Sequence, residues 1–227
     1  MSICHHDARD LIGARNEIES KHIPKDIFSL GDISLLTKGH RVSVVGTRKP
    51  STDGIRRAKV LVKELVRNDI IVVSGLAEGI DTTAHTTAIE EGGRTIAVMG
   101  TPLDKPYPAK SKELFHLIAK DHLAISQFPS GYPVKPKNFP IRNRTMALIT
   151  DATIIIEAGE TSGTRHQGWE ALRLGRQVFL LENVVKKAGI SWAREMIDYG
   201  AEILNREDLP SLLEELPNYT TREALAI

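Results

Sequence analysis

Short runs of apolar, largely β-branched residues recur along this chain, and segments with the spacing of amphipathic helices separate them. Each run is bounded by glycine or polar residues, as β-strands are. Strands that alternate with helices require crossover connections, which favour a mostly parallel sheet with helices on both faces. The predicted strands are 41–45, 70–73, 95–99, 123–126, 152–156, 177–181 and 201–204.

The segment after the first predicted strand shows the helical pattern most clearly. Apolar side chains recur every three or four residues, and charged side chains lie off this stripe. The stripe consists of Ile55, Ala58, Leu61, Val62, Leu65 and Val66. We therefore predict an α/β fold, a Rossmann-like three-layer sandwich around a mostly parallel sheet.

The chain divides into a lead-in, a core and a tail. Residues 1–40 are polar and contain only short apolar clusters, so we predict a short helical N-terminal lead-in. Residues 41–205 carry the alternating pattern and form the predicted Rossmann-like core. Residues 206–227 are predicted to form a C-terminal helix and a frayed tail.

The charge balance limits what the whole surface can attract. The chain has 30 Lys and Arg against 29 Asp and Glu, a formal net charge of +1 at pH 7. Attraction for a polyanion must therefore come from a local cluster of cations. Composition alone predicts no nucleic-acid partner.

The single cysteine and the apolar pattern bear on the compartment. Cys4 cannot form an internal disulfide, and the N-terminus shows no secretion-signal pattern. No apolar run approaches the roughly 18 residues of a membrane span. We therefore expect a cytoplasmic protein without a membrane partner.

Metal and cofactor motifs are incomplete in this sequence. Cys4, His5, His6 and Asp7 are metal-ligating residue types, but no second spaced pair accompanies them. The loops also lack the lysine of a P-loop and the spaced glycine triplet of a dinucleotide fingerprint. The sequence therefore predicts no metal site and no cofactor, and ATP hydrolysis and hydride transfer have no residues to carry them.

The loop after the first strand offers groups that suit phosphate. Ligands of parallel sheets bind beyond the carboxyl ends of the strands, where helix N-termini point free N–H groups. Gly46 allows close backbone approach, Thr47 offers a hydroxyl, and Arg48 offers a forked donor. The alternative is a strand–glycine–helix turn that packing alone requires.

A second glycine-containing loop follows the next strand. Ser74, Gly75 and Gly79 precede a helix whose N-cap we assign to Asp81, and the amides of such a loop can ring an anion. Asp81 and His85 share a helix face. Because no nucleophile accompanies them, we interpret Asp81 as a cap and His85 as a packed residue rather than an acid–base pair.

Residues 128–150 contain four cations, no Asp or Glu, and several interleaved aromatic residues. Single-stranded nucleic acid requires such a pattern, because bases stack on rings while the backbone follows the positive charge. A solvated proline-rich loop is the alternative. The candidate contacts are Lys135, Lys137, Phe139, Arg142, Asn143 and Arg144, with Phe128 and Tyr132 as further rings.

A hydroxyl-rich loop follows the fifth strand. Here Ser162, Gly163 and Thr164 lead into a helix. Four strand ends thus supply glycines, hydroxyls and arginines to one edge of the sheet. We infer a phosphate-bearing ligand at this edge, either monomeric or polymeric.

These motifs together resemble the DprA/Smf family of bacterial DNA-processing proteins. The resemblance runs from residue 31 to about residue 202, and its motifs follow the family's order. They are VVGTR at 44–48, SGLAEGID at 74–81, GGRTIAVMGTPLDKPYP at 92–108, FPIRNR at 139–144 and the loop at 157–164.

The resemblance implies a binding protein without catalytic turnover. It implies a homodimer that binds single-stranded DNA, protects incoming DNA and helps to load a RecA-type recombinase, as in natural transformation. Arg48 would contact backbone phosphate, and Arg142 and Arg144 would anchor the strand. Residues 162–164 would offer amides and hydroxyls.

Several positions depart from the family pattern. Gln127 stands where the family has glutamate, Arg165 and His166 replace a more apolar pair, and residues 181–183 replace a proline-glycine turn. The winged-helix-like C-terminal domain and the larger N-terminal domain of many members are expected to be absent or reduced. Partner recruitment and the oligomer therefore stay open.

The same fold superfamily offers an alternative of another class. It includes LOG-like nucleotide phosphoribohydrolases and nucleotide-sensing domains of defence systems. The LOG-type motif has two glycines where Glu160 and Thr161 stand, and a glutamate where this chain has Gln167. Without that carboxylate, N-glycosidic hydrolysis lacks its acid–base group, so a binding protein is favoured, while a nucleotide sensor stays open.

Overall fold

The computed structural model describes residues 2–13, 16–205 and 207–216. The strands are β1 (Cys4–Asp7), β2 (Asp26–Gly31), β3 (Arg41–Val45), β4 (Ile71–Ser74), β5 (Thr95–Met99), β6 (Leu123–Ser126), β7 (Ala152–Ile155), β8 (Gln177–Leu181) and β9 (Glu202–Leu204). The helices are α1 (Ala8–Ile12), α2 (Glu17–His22), α3 (Thr52–Arg67), α4 (Ile80–Glu90), α5 (Lys112–Asp121), α6 (Asn138–Leu148), α7 (Thr164–Arg173), α8 (Glu182–Val185), α9 (Trp192–Asp198) and α10 (Leu209–Glu214).

The predicted α/β class is confirmed by a mostly parallel sheet. Its strand order is β1-β2-β6-β5-β4-β3-β7-β8-β9, and every pairing from β6 to β9 is parallel. The register places Val42 beside Val72 on one side and beside Ala152 on the other. All seven predicted strands are present, and β4, β7 and β9 differ from the predicted bounds by one residue.

The N-terminal segment corrects the prediction of a helical lead-in. β2 pairs antiparallel with β6, and β1 pairs antiparallel with β2, so residues 4–7 and 26–31 extend the core sheet. Only the short helices α1 and α2 are helical there, with a 3₁₀ turn at Ile33–Leu36. The strands form because the edge of β6 supplies the hydrogen-bond partners that an isolated polar segment lacks.

Helices cover both faces of the sheet and make three layers. Along β4, Val72 packs on the face covered by α3 and α4, whereas Ile71 and Val73 pack on the face covered by α6, α7 and α9. α5 covers the β5 and β6 end of the first face. Because both faces are buried, the parallel strands are apolar without a clean alternation.

α3 illustrates how the sequence fixes a helix of this fold. The Ser51 hydroxyl accepts a hydrogen bond from the Gly54 N–H at 2.9 Å and caps the helix. Leu61, Val62 and Leu65 on the predicted stripe are buried against the sheet. Burying each such side chain stabilises the fold by roughly 1.5–3 kcal/mol.

The C-terminal region is described as far as residue 216. α10 lies in the predicted C-terminal helix region, and its Leu209 is buried in the core. The frayed tail predicted after Leu216 lies outside the described residues. Among the helices of the described residues, none is both long and apolar enough to cross a membrane.

The strand order reverses direction beside β3. From β3 the chain runs outward through β4, β5 and β6, then returns to β7 on the other side of β3 and continues to β8 and β9. Such a switch point leaves a crevice at the carboxyl ends of the two central strands, where ligands of open α/β sheets bind.

Candidate nucleic-acid interface

A cleft of about 510 Å³ lies at this switch point. We call it the larger cleft, to distinguish it from a neighbouring crevice of about 50 Å³. It is lined by the loop after β3, the first turn of α4, one side of α6 and the N-terminus of α7. Of the residues predicted to bind phosphate or DNA, those that line it are Gly46, Thr47, Arg48, Asp81, Phe139, Arg142, Asn143, Ser162, Gly163 and Thr164.

The loop after β3 is held by its neighbours on both sides. The Thr47 N–H donates to the Glu157 carbonyl at 2.7 Å, and the Thr47 carbonyl accepts from the Ile80 N–H at 3.2 Å. A Cβ on Gly46 would lie 2.5 Å from the Ile80 side chain, so only glycine allows this approach. The β7 and α4 segments therefore fix the position of the loop.

The Glu157 carboxylate braces the end of the same loop. It accepts hydrogen bonds from the Ser51 hydroxyl at 2.7 Å and from the Ser51 N–H. Between these anchored ends, Arg48 and Lys49 are exposed, and neither has an acidic ion-pair partner among the described residues. Lys49 was not among the predicted contacts, although it directly follows Arg48 at the strand end.

The predicted N-cap of α4, Asp81, is wrong. The helix begins at Ile80, so Gly79 is the N-cap and Asp81 lies inside the first turn. Gly79 has a φ of +87°, and a Cβ there would lie 2.4 Å from the Thr47 carbonyl oxygen. Positive φ together with this contact requires glycine.

Two predicted phosphate contacts at the end of β4 are buried by the fold. Ser74 is fully buried, and its hydroxyl donates to the Val44 carbonyl at 2.7 Å. Gly75 is buried too, and its carbonyl accepts from Arg142. Neither residue lines the larger cleft, because Ser74 is the last residue of β4, Gly75 directly follows it, and both are bonded to neighbouring elements at the buried sheet edge.

Arg142, which the family resemblance predicts to anchor the strand, is bound to the protein's own backbone. Its side chain is buried, and Nη1 donates to the carbonyls of Gly75 and Val98, each at 2.7 Å. Nε donates to the Asn143 side-chain oxygen at 3.0 Å. Arg142 thus satisfies carbonyls at the ends of β4 and β5 and ties α6 to them.

A buried acid faces this buried arginine. Burial raises the pKa of the Asp81 carboxyl, and the charge of Arg142 opposes that shift. Burial likewise lowers the pKa of the Arg142 guanidinium, with Asp81 opposing. Each charge therefore partly compensates the desolvation of the other.

Arg144 is also engaged elsewhere. Its Nε donates to the Glu170 carboxylate at 2.7 Å, and Arg173 reaches the same carboxylate at 3.0 Å. Arg144 does not line the larger cleft. The periodicity of α6 turns it toward α7, because residues two apart on a helix point to different sides.

The remaining predicted cations and rings lie before and at the start of α6. Lys135 and Lys137 are exposed on the preceding loop and line neither the larger cleft nor its neighbour. Phe139 lines both. Tyr132 packs on Phe128, with ring centroids 5.1 Å apart.

The N-terminus of α7 brings the predicted hydroxyls to the cleft. Gly163 is the N-cap, and the Ser162 hydroxyl donates to the Thr164 hydroxyl at 2.9 Å. The Thr164 N–H donates to the Ser162 hydroxyl and the Arg165 N–H donates to the Ser162 carbonyl, so this helix N-terminus favours anions mainly through the positive end of its dipole. Thr161, His166 and Gln167 also line this wall and were missed as contacts; they adjoin the predicted motif, but nothing in their types singled them out.

The metal-ligating residue types at the N-terminus have other partners. His5 Nε2 lies 2.7 Å from the Asp26 carboxylate, and His6 Nε2 lies 2.8 Å from the Ser29 hydroxyl. These are contacts across the β1–β2 pair. In the described residues, no group of three or more His, Cys, Asp or Glu side chains is placed to hold a metal ion.

Fold and cleft together define a Rossmann-like α/β protein with a cleft at the switch point of its sheet. A family model described as DNA recombination-mediator protein A matches residues 13–216, and the chain belongs to this family.

Comparison with individual proteins agrees with this membership. The DNA processing protein DprA of Bacillus subtilis is 34% identical over 195 residues, which cover 86% of this chain and 65% of that protein. The chain thus spans less than two thirds of the length of that relative.

Two solved structures share the fold. The X-ray structure of DNA processing protein A from Streptococcus pneumoniae has a TM-score of 0.82 and 31% identity, covering 96% of this chain and 75% of that one. DNA processing protein A from Helicobacter pylori, described for its single-stranded DNA binding mode, has a TM-score of 0.79 and 23% identity, covering 96% of this chain and 98% of that one.

Proposed function

We propose that this chain is a cytoplasmic DNA-processing protein that binds single-stranded DNA at the larger cleft. The observation that carries the proposal is the position of Arg48 and Lys49. Both are exposed cations without an acidic partner among the described residues, and both stand on a braced loop opposite the N-terminus of α7. Family membership and the DNA binding of the Helicobacter pylori relative support it.

A single strand suits this cleft better than a duplex. The cations and the helix N-terminus offer contacts to phosphates, which carry no sequence information. Phe139 adds an aromatic wall beside them, and bases can reach such a wall only when they are unpaired. The proposed binding is therefore sequence-tolerant and sensitive to salt.

We propose that the chain acts by binding and not by turnover. Gln167, at the position of the hydrolase glutamate, is buried, and its amide nitrogen lies 3.5 Å from the Thr153 hydroxyl. A neutral amide cannot accept or donate the proton that N-glycosidic hydrolysis requires.

The partners implied by the family resemblance belong to the same proposal. We propose that the protein protects incoming DNA, works as a homodimer and delivers DNA to a RecA-type recombinase.

A nucleotide sensor is the second candidate function. The volume of the larger cleft, about 510 Å³, lies within the range of small-ligand sites. One mononucleotide phosphate on Arg48 and the α7 N-terminus would use the same groups as a strand.

Fluorescence anisotropy with a labelled oligonucleotide separates these functions. We expect the full chain to bind a single strand more tightly than the matched duplex, and more tightly than nucleoside monophosphates offered as competitors. Incubation with the same monophosphates is expected to release no free base. Light scattering on the sample is expected to give the mass of two chains.

Each alternative has its own result. A monophosphate that displaces the strand at micromolar concentration, or that binds where the strand does not, identifies a nucleotide sensor. Release of free base identifies a hydrolase. Equal affinity for duplex and single strand contradicts the proposed strand selectivity, and the mass of one chain contradicts the homodimer.

A further inference from the structure

A half-exposed tyrosine stands beside the larger cleft, in a loop that was not among the predicted contacts. Tyr107 is 50% exposed, and its ring centroid lies 5.9 Å from that of Phe139 at an interplanar angle of 60°. Tyr107, Phe139 and Arg48 line a second crevice of about 50 Å³, the smaller cleft. Phe139 and Arg48 also line the larger cleft, so the aromatic pair stands where the two meet.

The rings near the clefts differ in how much surface they can offer. Phe139 packs against the end of β5, because a Cβ on Gly100 would lie 2.7 Å from its ring. Tyr132 packs on Phe128 and lines neither cleft. Of the three rings, Tyr107 is the one that both lines a cleft and exposes half of its surface.

The charges along the two clefts differ as well. Glu78 lines the smaller cleft, and its carboxylate has Lys110 at 3.7 Å as its partner. A phosphate there would meet this carboxylate, whereas the larger cleft offers Arg48, Lys49 and a helix N-terminus. A neutral base meets no such repulsion in the smaller cleft.

We propose that Tyr107 is a stacking platform for one nucleobase of the bound strand. The nucleotide whose phosphate is held by Arg48 in the larger cleft turns its base toward the smaller cleft and onto the Tyr107 ring. Phe139 supports that ring from the side. This inference rests on the proposed single-strand binding and adds a base-dependent component to it. Stacking of this kind tolerates any sequence, because every base has a π-face.

The test compares an ordinary oligonucleotide with an abasic oligonucleotide of the same length, which keeps the phosphates and lacks the bases. Tyr107→Ala is expected to weaken binding of the ordinary strand by about 5- to 150-fold. It is expected to leave binding of the abasic strand unchanged. Tyr107→Phe, which keeps the ring, is expected to bind like the unaltered chain, and so is the matched control Tyr132→Ala.

The outcomes separate this inference from the proposed function. Equal loss on both oligonucleotides, or no loss on either, overturns the stacking role and leaves strand binding in place. Failure of the unaltered chain to bind either oligonucleotide overturns both proposals. If Tyr107→Ala does not fold, a 2-aminopurine oligonucleotide bound to the unaltered chain decides: quenched fluorescence supports stacking, and unquenched fluorescence at every position overturns it.

Discussion

Arg142 and Arg48 show that two arginines at one cleft have different tasks. Arg142 donates hydrogen bonds to two backbone carbonyls, and the charge of Asp81 partly compensates the desolvation of its guanidinium. Arg48 is exposed on a loop whose ends are braced, and its charge faces the cleft. Arg48 therefore offers the more exposed guanidinium to a phosphate in this cleft.

The side-chain environment of each arginine was not predictable from the sequence around it. Arg142 is bonded to Gly75, which directly follows β4, and to Val98 of β5, whereas the partner of Arg144 comes from α7, 26 residues further along. As a residue type, arginine favours phosphate binding equally well at positions 48, 142 and 144. The packing of α6 decides which of these guanidinium groups bond to other groups of the protein.

His85 provides a test at the scale of one residue. It is fully buried, its Nδ1 lies 2.7 Å from the Thr95 hydroxyl, and burial lowers its pKa to about 3. The unfolded chain therefore binds a proton on His85 near pH 6.5, where the folded chain does not. Its contribution to stability is complete above that pH and is lost as the pH falls toward 3.

We expect His85→Gln to remove this pH dependence. Between about pH 7 and pH 5.5, the free energy of unfolding of the unaltered chain should fall by about 1 kcal/mol more than that of the variant. Urea denaturation at the two pH values measures this difference, and the neighbouring His122 stays in both proteins as a common background. Equal pH dependence in the two proteins would show that His85 is not buried in the neutral form.

At the scale of secondary-structure elements, two loops meet at Gly79. The loop after β3 and the start of α4 touch through the Thr47 carbonyl, which accepts from Ile80 and leaves no room for a Cβ on Gly79. Contact between these loops sets the position of Arg48 and Lys49.

Gly79→Ala and Gly92→Ala form a matched pair that tests this contact. Both glycines have positive φ, but a Cβ on Gly92 would meet nothing within 4 Å. Gly92→Ala is expected to cost about 1–2 kcal/mol from its backbone conformation alone. Gly79→Ala is expected to cost more in urea denaturation and also to weaken DNA binding. Equal costs, with DNA binding retained, would show that the two loops are not coupled.

The elements themselves were largely predictable, and the exceptions have physical reasons. Apolar runs identified the parallel strands, since burial on both faces leaves them no polar alternation. β1 and β2 were not predicted, because their stability comes from pairing: β1 pairs with β2, and β2 pairs with β6, which is remote in sequence. Convergence of the loops after β3 and β7 followed from the parallel sheet, whereas the burial of Ser74 and Gly75 depended on the exact end of β4.

The whole molecule combines a nearly neutral charge with a local site. A net charge of +1 gives no long-range attraction for DNA. The affinity must therefore arise where cations without acidic partners face a cleft. In the described residues, the switch point of the sheet is such a place, because Arg48, Lys49 and the α7 N-terminus all line the larger cleft there. The central claim is that phosphates bind at Arg48, Lys49 and the α7 N-terminus and not along the arginines of α6.

The salt dependence of single-strand affinity tests this claim most directly. Log affinity falls as log salt concentration rises, and each lost phosphate contact reduces the magnitude of this negative slope by about 0.7 for a single strand. We expect Arg48→Ala with Lys49→Ala to reduce the magnitude by about 1.4, and Arg144→Ala to leave it unchanged. A slope that is unaffected by the first pair and reduced by Arg144→Ala would contradict the account and return the strand to α6.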